Sequence, residues 1–339
     1  MTDVVHGAVL EVFREVQHPE LQKLASNVPE LVSNSKAKNT QRKYKSGFER
    51  WRKWAEKFPE VATLPARDIY VCLFLVSLIQ QGVSCSIINE VYYGIKWIHE
   101  ITGYENPCTS SLIMSVLEAG CRLLSKPARK KEVVTPETIQ SLFLMFGHST
   151  ATLADLRILV ISVLCYAGFL RFDELIKLRR CDFSIEEAFM RIFIERSKTD
   201  IYRDGAWVVI ARTGLYTCPV SLTLRYFTLG GISPDSDEYI FRALSYCSST
   251  GKYKLRGTTP LSYSRTREIV LEAFEKIGLP KKDYGLHSFR AGGASAAANS
   301  NISDRLFKRH GRWRSEKAKD GYVKDNVEGL LSVSRALGI

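Results

Sequence analysis

The residues best suited to chemistry lie between His287 and Tyr322, near the end of this 339-residue chain. His287 and Arg290 are one helical turn apart, so both can reach one phosphate. A cationic run follows, with Glu316 as the only acid inside it, and then comes a lone tyrosine, Tyr322. The cations are Arg305, Lys308, Arg309, Arg312, Arg314, Lys317 and Lys319. This pattern predicts two phosphate ligands, a positive surface and a nucleophile.

Phosphodiester cleavage without a metal ion needs cations on the non-bridging oxygens, an in-line nucleophile and an acid for the leaving oxygen. Arginine suits the first task because its fork is bidentate and always charged. The chain has no Walker loop, no acidic cluster for two magnesium ions and no Ser-His-Asp set. We therefore expect catalysis by side chains, with no cofactor and no metal.

The overall charge predicts a polyanionic partner. The formal net charge is +12 and the pI is about 9.3, which is typical of proteins that meet nucleic acid or an anionic membrane. The longest apolar runs, 69–79 and 158–170, are shorter than the ~20 residues that span a bilayer. Nucleic acid is therefore the favoured partner, and no membrane contact is expected.

The eight cysteines do not form a metal site by sequence. No Cys-x-x-Cys pair occurs, and no Cys–His spacing matches a zinc module. Several, such as Cys72 and Cys165, lie inside apolar runs, where a thiol behaves as a small hydrophobe. We expect reduced thiols and an intracellular protein, nuclear or cytoplasmic.

Hydrophobic periodicity divides the chain into an amphipathic N-terminal arm at 1–34, a helical domain at 35–125, a linker at 126–132 and a second domain at 133–339. Helices are expected at about 40–58, 69–80, 87–102 and 110–124, which make a compact all-α unit. In the second domain, strands are expected at 188–195 and 206–211 among several helices. The stretch 230–260 is expected to be a loop with a strand near 239–242.

Cations also cluster outside the C-terminal run. Between 36 and 57 there are nine basic residues against Glu49 and Glu56. A solvated helix face is the ordinary explanation of such a run, but this imbalance favours a surface that binds the DNA backbone. The candidate nucleic-acid contacts are Lys36, Lys38, Arg42, Lys43, Lys45, Arg129, Lys130, Lys131, Arg312 and Arg314.

Five features occur in the order and spacing typical of the tyrosine recombinases, also called the phage integrase family. They are GFLRFDEL at 168–175, a hairpin lysine at 198, LHSFR at 286–290, GRW at 311–313 and Tyr322. The chain resembles this family from residue 36 onward. The resemblance implies a mainly α, two-domain fold. An all-α four-helix core-binding domain of SAM-like type would precede an α+β DNA breaking-rejoining catalytic domain with a small antiparallel sheet.

The resemblance also implies roles for individual residues. Arg171 and Arg290 would hold the scissile phosphate. Glu174 would support the arginine and the histidine, although an i,i+3 surface ion pair is its ordinary alternative. Lys198 would be the general acid for the 5′-oxygen, with Lys252 and Lys254 as rivals. His287 would accept a proton and bind the phosphate.

Trp313 lies nine residues before Tyr322, where most family members have a second histidine and one branch has tryptophan. Its indole N–H can donate to a phosphate oxygen but cannot act as an acid or base. The usual Gly-His pair is replaced by Arg312-Trp313, and His310 is expected to be structural. Tyr322 would attack phosphorus and form a 3′-phosphotyrosyl link.

The function implied is site-specific recombination or integration of DNA, as in mobile elements, without metal or nucleotide. The family works as a homotetramer on two double-stranded DNA sites, and the last helix, 327–337, is the candidate for docking in trans. It could equally cap its own domain. The alternatives are a type IB topoisomerase, a non-catalytic site-specific DNA-binding protein descended from a recombinase, and a general basic nucleic-acid binder.

Overall fold

The computed structural model describes residues 4–127, 129–197, 200, 204–300 and 302–338. The chain divides into two compact units, Met1–Ala128 and Arg129–Ile339. Lys198, the expected general acid, lies outside the described residues. Among the described residues, no helix has both the length and the apolar character needed to cross a membrane.

The first unit is all helical. Its helices are α1 (Val4–Val12), α2 (Pro19–Asn34), α3 (Lys38–Ala55), α4 (Asp68–Gln80), α5 (Cys85–Thr102) and α6 (Ser111–Leu124). Helices α3 to α6 are the four expected from the sequence, and they enclose a core that includes Trp51, Leu75 and Ile95. The N-terminal arm is not separate from this unit, because Val9 of α1 is buried in the same core.

One disulfide ties this unit together. Cys85 at the start of α5 is bonded to Cys121 in α6, so the expectation of eight reduced thiols is wrong for this pair. The free cysteines are Cys72, Cys108, Cys165, Cys181, Cys218 and Cys247.

The second unit is helical with two small antiparallel sheets. Its helices are α7 (Pro136–Phe146), α8 (Leu153–Ala167), α9 (Phe172–Leu175), α10 (Pro219–Gly230), α11 (Tyr263–Lys276), α12 (His287–Ala298), α13 (Asp304–Gly311), α14 (Glu316–Asp320) and α15 (Val327–Arg335). Helix α8 begins with a capping box of Thr152 and Asp155 and is buried on nearly all sides. It packs against α7, α10 and α12, so it forms the centre of the core.

The strands confirm the expected small sheet and extend it. Strands β1 (Phe183–Ile185), β2 (Phe189–Ile194) and β3 (Ala206–Ala211) pair in that order, and β2 and β3 are the two expected strands. Strands β4 (Arg242–Cys247) and β5 (Lys252–Pro260) form a separate hairpin. The expectation of a loop over 230–260 is wrong there, and the strand expected near 239–242 is reduced to a single bridge between Arg179 and Tyr239.

Candidate active site

Glu174 is the centre of a buried cluster of charges. Its carboxylate accepts hydrogen bonds from the Arg171 Nη1 at 2.7 Å and from the Arg171 backbone N–H at 3.0 Å. Arg312 donates from Nη2 at 2.9 Å, and Arg290 Nη1 lies 3.8 Å away. The Glu174 side chain is 2% exposed, so the pair with Arg171 is internal and the surface explanation fails. Three guanidinium groups around one carboxylate leave an excess of positive charge.

The pKa shifts follow from this packing. Burial alone would raise the pKa of Glu174, but the charges of Arg312, Arg171 and Arg290 outweigh it and the net pKa is lowered. Glu174 is therefore a carboxylate at neutral pH. Burial, followed by repulsion from Arg171, lowers the pKa of Arg290.

Arg290 is fully buried and is fixed by backbone carbonyls. Its Nη1 donates to Phe169 O and its Nη2 donates to Gly311 O at 2.8 Å. The guanidinium carbon lies 4.8 Å from the ring centroid of Tyr322 and 5.3 Å from that of Trp313. The arginine expected to bind the phosphate is therefore adjacent to the expected nucleophile.

The pKa of Arg171 is influenced by both Glu174 and Tyr322. Burial tends to lower the pKa of Arg171, but the Glu174 carboxylate and the Tyr322 hydroxyl act against it, and the net pKa is raised. Tyr322 thus has two guanidinium neighbours, Arg171 and Arg290. Because both arginines stay charged at neutral pH, either can neutralise a phosphate oxygen or a phenolate.

Helix α12 carries His287 and Arg290 and also holds the tyrosine segment. The Ser295 hydroxyl accepts from Lys324 N–H at 2.8 Å, and Asn299 Nδ2 donates to Lys324 O at 3.3 Å. These positioning residues were missed in the sequence. Their only signal is two polar side chains, four residues apart, one in the alanine-rich second half of α12 and one directly after its end.

The same helix lies against its neighbours at glycine positions. A Cβ on Gly293 would lie 2.0 Å from Tyr166 O, and one on Gly292 would lie 1.9 Å from Val134 O. Only glycine permits such contact. The Gly-Gly pair after Arg290 therefore lets α12 approach α8 and places Arg290 beside Glu174.

Trp313 and His310 pack together on Phe169. Trp313 is 5% exposed, its ring centroid is 5.7 Å from that of Tyr322, and its buried indole N–H has no hydrogen-bond partner among the described residues. His310 donates from Nε2 to Ala167 O at 2.8 Å, and burial lowers its pKa. His310 is thus a neutral, structural residue. His287 is exposed at the first position of α12, one turn before Arg290.

Comparisons with known proteins agree with this fold. No family model matches the chain. An integrase/recombinase xerD homolog from Selenomonas ruminantium is 24% identical over 307 residues, which cover 89% of this chain and 86% of that protein. The XerH site-specific recombinase bound to palindromic difH superposes with a TM-score of 0.60 at 14% identity, covering 100% of this chain and 98% of that one. A lambda integrase dimer bound to a COC′ core site superposes with a TM-score of 0.55 at 15% identity, covering 94% of this chain and 85% of that one.

The chain has the fold of the tyrosine recombinases. The resemblance that the sequence motifs indicated is confirmed at the level of the fold. In the second unit, the side chains of Arg171, Glu174, Arg290, Trp313 and Tyr322 lie together. In the sequence, these residues are spread over about half of the chain.

Arg312 is a member of the cluster that sequence reasoning placed elsewhere. It was expected to contact DNA, but its side chain is only 7% exposed. It ends α13 in the left-handed conformation, with φ of 56°. Its guanidinium donates to Glu174 and to three carbonyls, those of Gly168, Phe169 and His310, at 2.9–3.2 Å. The expectation of a surface role is wrong because the backbone turns this side chain inward.

The cationic run after α12 is partly neutralised within the protein. Lys308 and Lys319 both pair with Glu316, and these two partners lower the pKa of Glu316 to about 2. A cleft of about 480 Å³ lies beside the remaining cations. It is lined by Arg305, Arg309 and Arg314, with Asp200 and Asp204 on the side of the β2–β3 loop.

The other expected DNA contacts are mostly on the surface. In the first unit, Lys36, Lys38, Arg42 and Lys43 are exposed at the start of α3, and Lys45 is half-buried. In the second unit, Lys130 is exposed. Arg129 pairs with Asp283 at 2.9 Å and Lys131 donates to Lys282 O, so these two are held by their own unit.

Proposed function

We propose that this protein is a site-specific DNA recombinase that cuts and rejoins DNA through a covalent 3′-phosphotyrosyl intermediate on Tyr322. The observation that carries the proposal is that Tyr322 lies against Arg290, whose guanidinium carbon is 4.8 Å from its ring centroid, in the same cluster in which Glu174 holds Arg171. A phosphodiester bound by both forks would lie within reach of the phenol oxygen.

In the proposed reaction, Arg171 and Arg290 bind the two non-bridging oxygens of the scissile phosphate. The Tyr322 oxygen forms a bond to phosphorus as the bond from phosphorus to the 5′-oxygen breaks. His287 takes the phenol proton, and Lys198 gives a proton to the leaving 5′-oxygen. Trp313 donates its indole N–H to the phosphate. Rejoining is the reverse reaction with a new 5′-hydroxyl, so the ester conserves the energy and the reaction needs neither nucleotide nor metal.

Glu174 does not touch the reacting atoms in this proposal. Its carboxylate holds Arg171, Arg290 and Arg312 in one place without cancelling their charge. Preorganised cations stabilise developing negative charge more effectively than mobile ones, because no reorganisation is needed during the reaction. Glu174 is therefore a positioning residue.

Double-stranded DNA is the proposed substrate. The solved relatives include recombinases bound to difH and to a COC′ core site, and the Tn1549 transposon integrase with circular intermediate DNA, at a TM-score of 0.51 and 12% identity. The net charge of +12 and the exposed cations of α3 support the same partner. We place the reaction in the nucleus or cytoplasm, in keeping with the six free cysteines.

The proposal includes a homotetramer on two DNA sites, with α15 docking in trans on a neighbouring copy. None of the residues of α15 is buried, and Val327, Leu330 and Val333 are 71%, 59% and 66% exposed. The exposure of these apolar side chains favours docking over capping. Leu330→Asp with Val333→Asp should abolish assembly on DNA, measured by sedimentation, while binding of one chain persists. Leu229→Asp, at an exposed leucine of α10, is the matched control.

The function is tested by trapping the protein on a random-sequence duplex library, quenching in SDS and sequencing the attached DNA. A recombinase predicts that the fragments share one sequence with two inverted half-sites. Scattered attachment, with plasmid relaxation by the monomer, would assign a type IB topoisomerase instead. Specific binding without attachment would assign a non-catalytic DNA-binding protein.

A further inference from the structure

The β4–β5 hairpin has one face that carries only positive charge. Lys252, Lys254 and Arg256 alternate along β5, so their side chains project from the same side of the ribbon, and all three are exposed. The residues opposite them on β4 are Cys247, Ser245 and Ala243. We name the three cations the basic stripe.

The opposite face of the hairpin attaches it to the protein. Leu244, Tyr253 and Leu255 alternate with the stripe and pack against the core of the second unit. Because these alternating residues face the core, the side chains of the basic stripe face the solvent. Its direction is fixed by the register of the hairpin and not by flexible side chains.

Nothing in the hairpin balances this charge. Strands β4 and β5 and the turn at 248–251 contain no acidic residue. Within the part of the chain that the structure describes, no ion pair involves any residue of the stripe, whereas Arg265, Lys281 and Arg191 of the same unit each have an acidic partner. Arg242, in the neighbouring strand β4, is paired with Glu238. Clustered like charges without a partner cost free energy, and an external anion relieves that cost.

The hairpin is connected through its last strand to a helix that contacts the residue after Arg171. Strand β5 leads directly into α11, whose first residue, Tyr263, packs edge-on against Phe172 with ring centroids 5.2 Å apart. Phe172 follows Arg171, an expected ligand of the scissile phosphate. Successive stripe residues are about 6.8 Å apart along the strand, which is far enough for each to meet a different phosphate of a DNA backbone.

We infer that the basic stripe binds the phosphodiester backbone of double-stranded DNA beside the cleavage site. The inference rests on the proposed function, since it adds a second contact to the same substrate. Sequence-independent backbone binding requires charge at regular spacing and no particular side chain. Proton donation by Lys252 or Lys254 would instead require a lysine at one position.

The test compares two variants with the wild type. Lys252→Gln/Lys254→Gln/Arg256→Gln removes the charge, and Lys252→Arg/Lys254→Arg keeps the charge but removes any lysine acid. Binding to a mixed-sequence duplex is measured by fluorescence anisotropy over a series of salt concentrations. If three phosphate contacts are lost, the slope of log K against log salt should fall by about 2.7 in the glutamine variant and not at all in the arginine variant.

The outcomes separate the inference from the proposed function. A fall of the slope by two or more with an unchanged melting temperature supports the inference, because exposed side chains contribute little to stability. An unchanged slope in a variant whose wild type binds DNA and forms the covalent adduct overturns the inference and leaves the function intact. Loss of the adduct in the arginine variant, together with an unchanged slope in the glutamine variant, would assign a lysine to catalysis and overturn the inference too. A wild type that does not bind DNA contradicts both.

Discussion

At the residue scale, the site depends on a balance between one carboxylate and three arginines. Glu174 is the only acid among the described residues that pairs with Arg171, Arg290 and Arg312. Buried charge is costly unless it is paired, so the cluster is stable because Glu174 is present. The surplus charge that remains is what a phosphate would neutralise.

Glu174→Gln removes this carboxylate and leaves three buried guanidinium groups without a counter-charge. We expect the free energy of unfolding to fall by about 3–5 kcal/mol, measured by urea denaturation. Asp173→Asn is the matched control, because Asp173 is the adjacent, exposed carboxylate and should change stability by less than about 0.5 kcal/mol. Equal effects of the two substitutions would contradict the central role of Glu174.

Arg312 combines a left-handed backbone with a buried side chain, and two substitutions separate these features. Arg312→Gly and Arg312→Ala both remove the hydrogen bonds to Glu174 and the carbonyls, which should cost about 2 kcal/mol. Alanine should cost roughly 1 kcal/mol more than glycine because φ of 56° is unfavourable for a side chain. Equal stabilities of the two variants in urea would show that the backbone there relaxes.

The sequence motifs predicted a common site for Arg171, Glu174, Arg290, Trp313 and Tyr322, and these side chains lie together in the structure. Arg312 could not be placed the same way. The direction of its side chain follows from the left-handed residue at the end of α13 and from the carbonyls of Gly168 and Phe169, which accept its hydrogen bonds. An arginine in a run of cations has the same local sequence pattern whether its side chain is buried in the protein or exposed to solvent.

At the element scale, the helices followed the sequence closely and the second hairpin did not. Helices α3 to α6 have apolar residues at helical spacing around a shared core, so the periodicity is strong. Strand β5 places cations on its exposed face, and β4 has small residues there, so neither has a strong strand composition. The disulfide between Cys85 and Cys121 spans 36 residues and arises from the packing of α6 near α5, which local patterns do not contain.

His99 in α5 should make the first unit sensitive to acid. Its Nε2 accepts from Ala66 N–H at 2.9 Å and its Nδ1 donates to Ile95 O at 2.8 Å, so the ring is neutral, and burial lowers its pKa. As the pH falls, His99 is therefore protonated at a higher pH in the unfolded chain than in the folded protein. The contribution of His99 is complete above the unfolded pKa of about 6.5 and is lost as the pH falls through the lower folded pKa.

The check is the urea midpoint against pH, followed by tryptophan fluorescence, to which Trp51, Trp54 and Trp97 of the first unit contribute three of the five tryptophans. His99→Gln cannot take up this proton, so the midpoint of the variant should fall less than that of the wild type below about pH 6.5. Parallel curves for the two proteins would contradict this assignment.

At the scale of the whole molecule, the charged residues singled out in the sequence are distributed over both units. The first unit presents the exposed cations of α3, and the second holds Tyr322 among its arginines. The sequence predicts that the first unit binds the DNA backbone and that the second carries the nucleophile, and both roles remain predictions. The apolar residues of α15 are exposed in a single chain. In the proposed assembly they would be buried against a neighbouring copy.

The central claim is that Tyr322 attacks a phosphodiester, and the most direct measurement is the covalent intermediate. The protein is incubated with DNA in EDTA and quenched in SDS, and DNA-linked protein is separated by electrophoresis. We predict an adduct with the wild type and none with Tyr322→Phe, which still binds DNA. An adduct that persists in Tyr322→Phe, or its absence from a wild type that binds DNA specifically, would contradict the account.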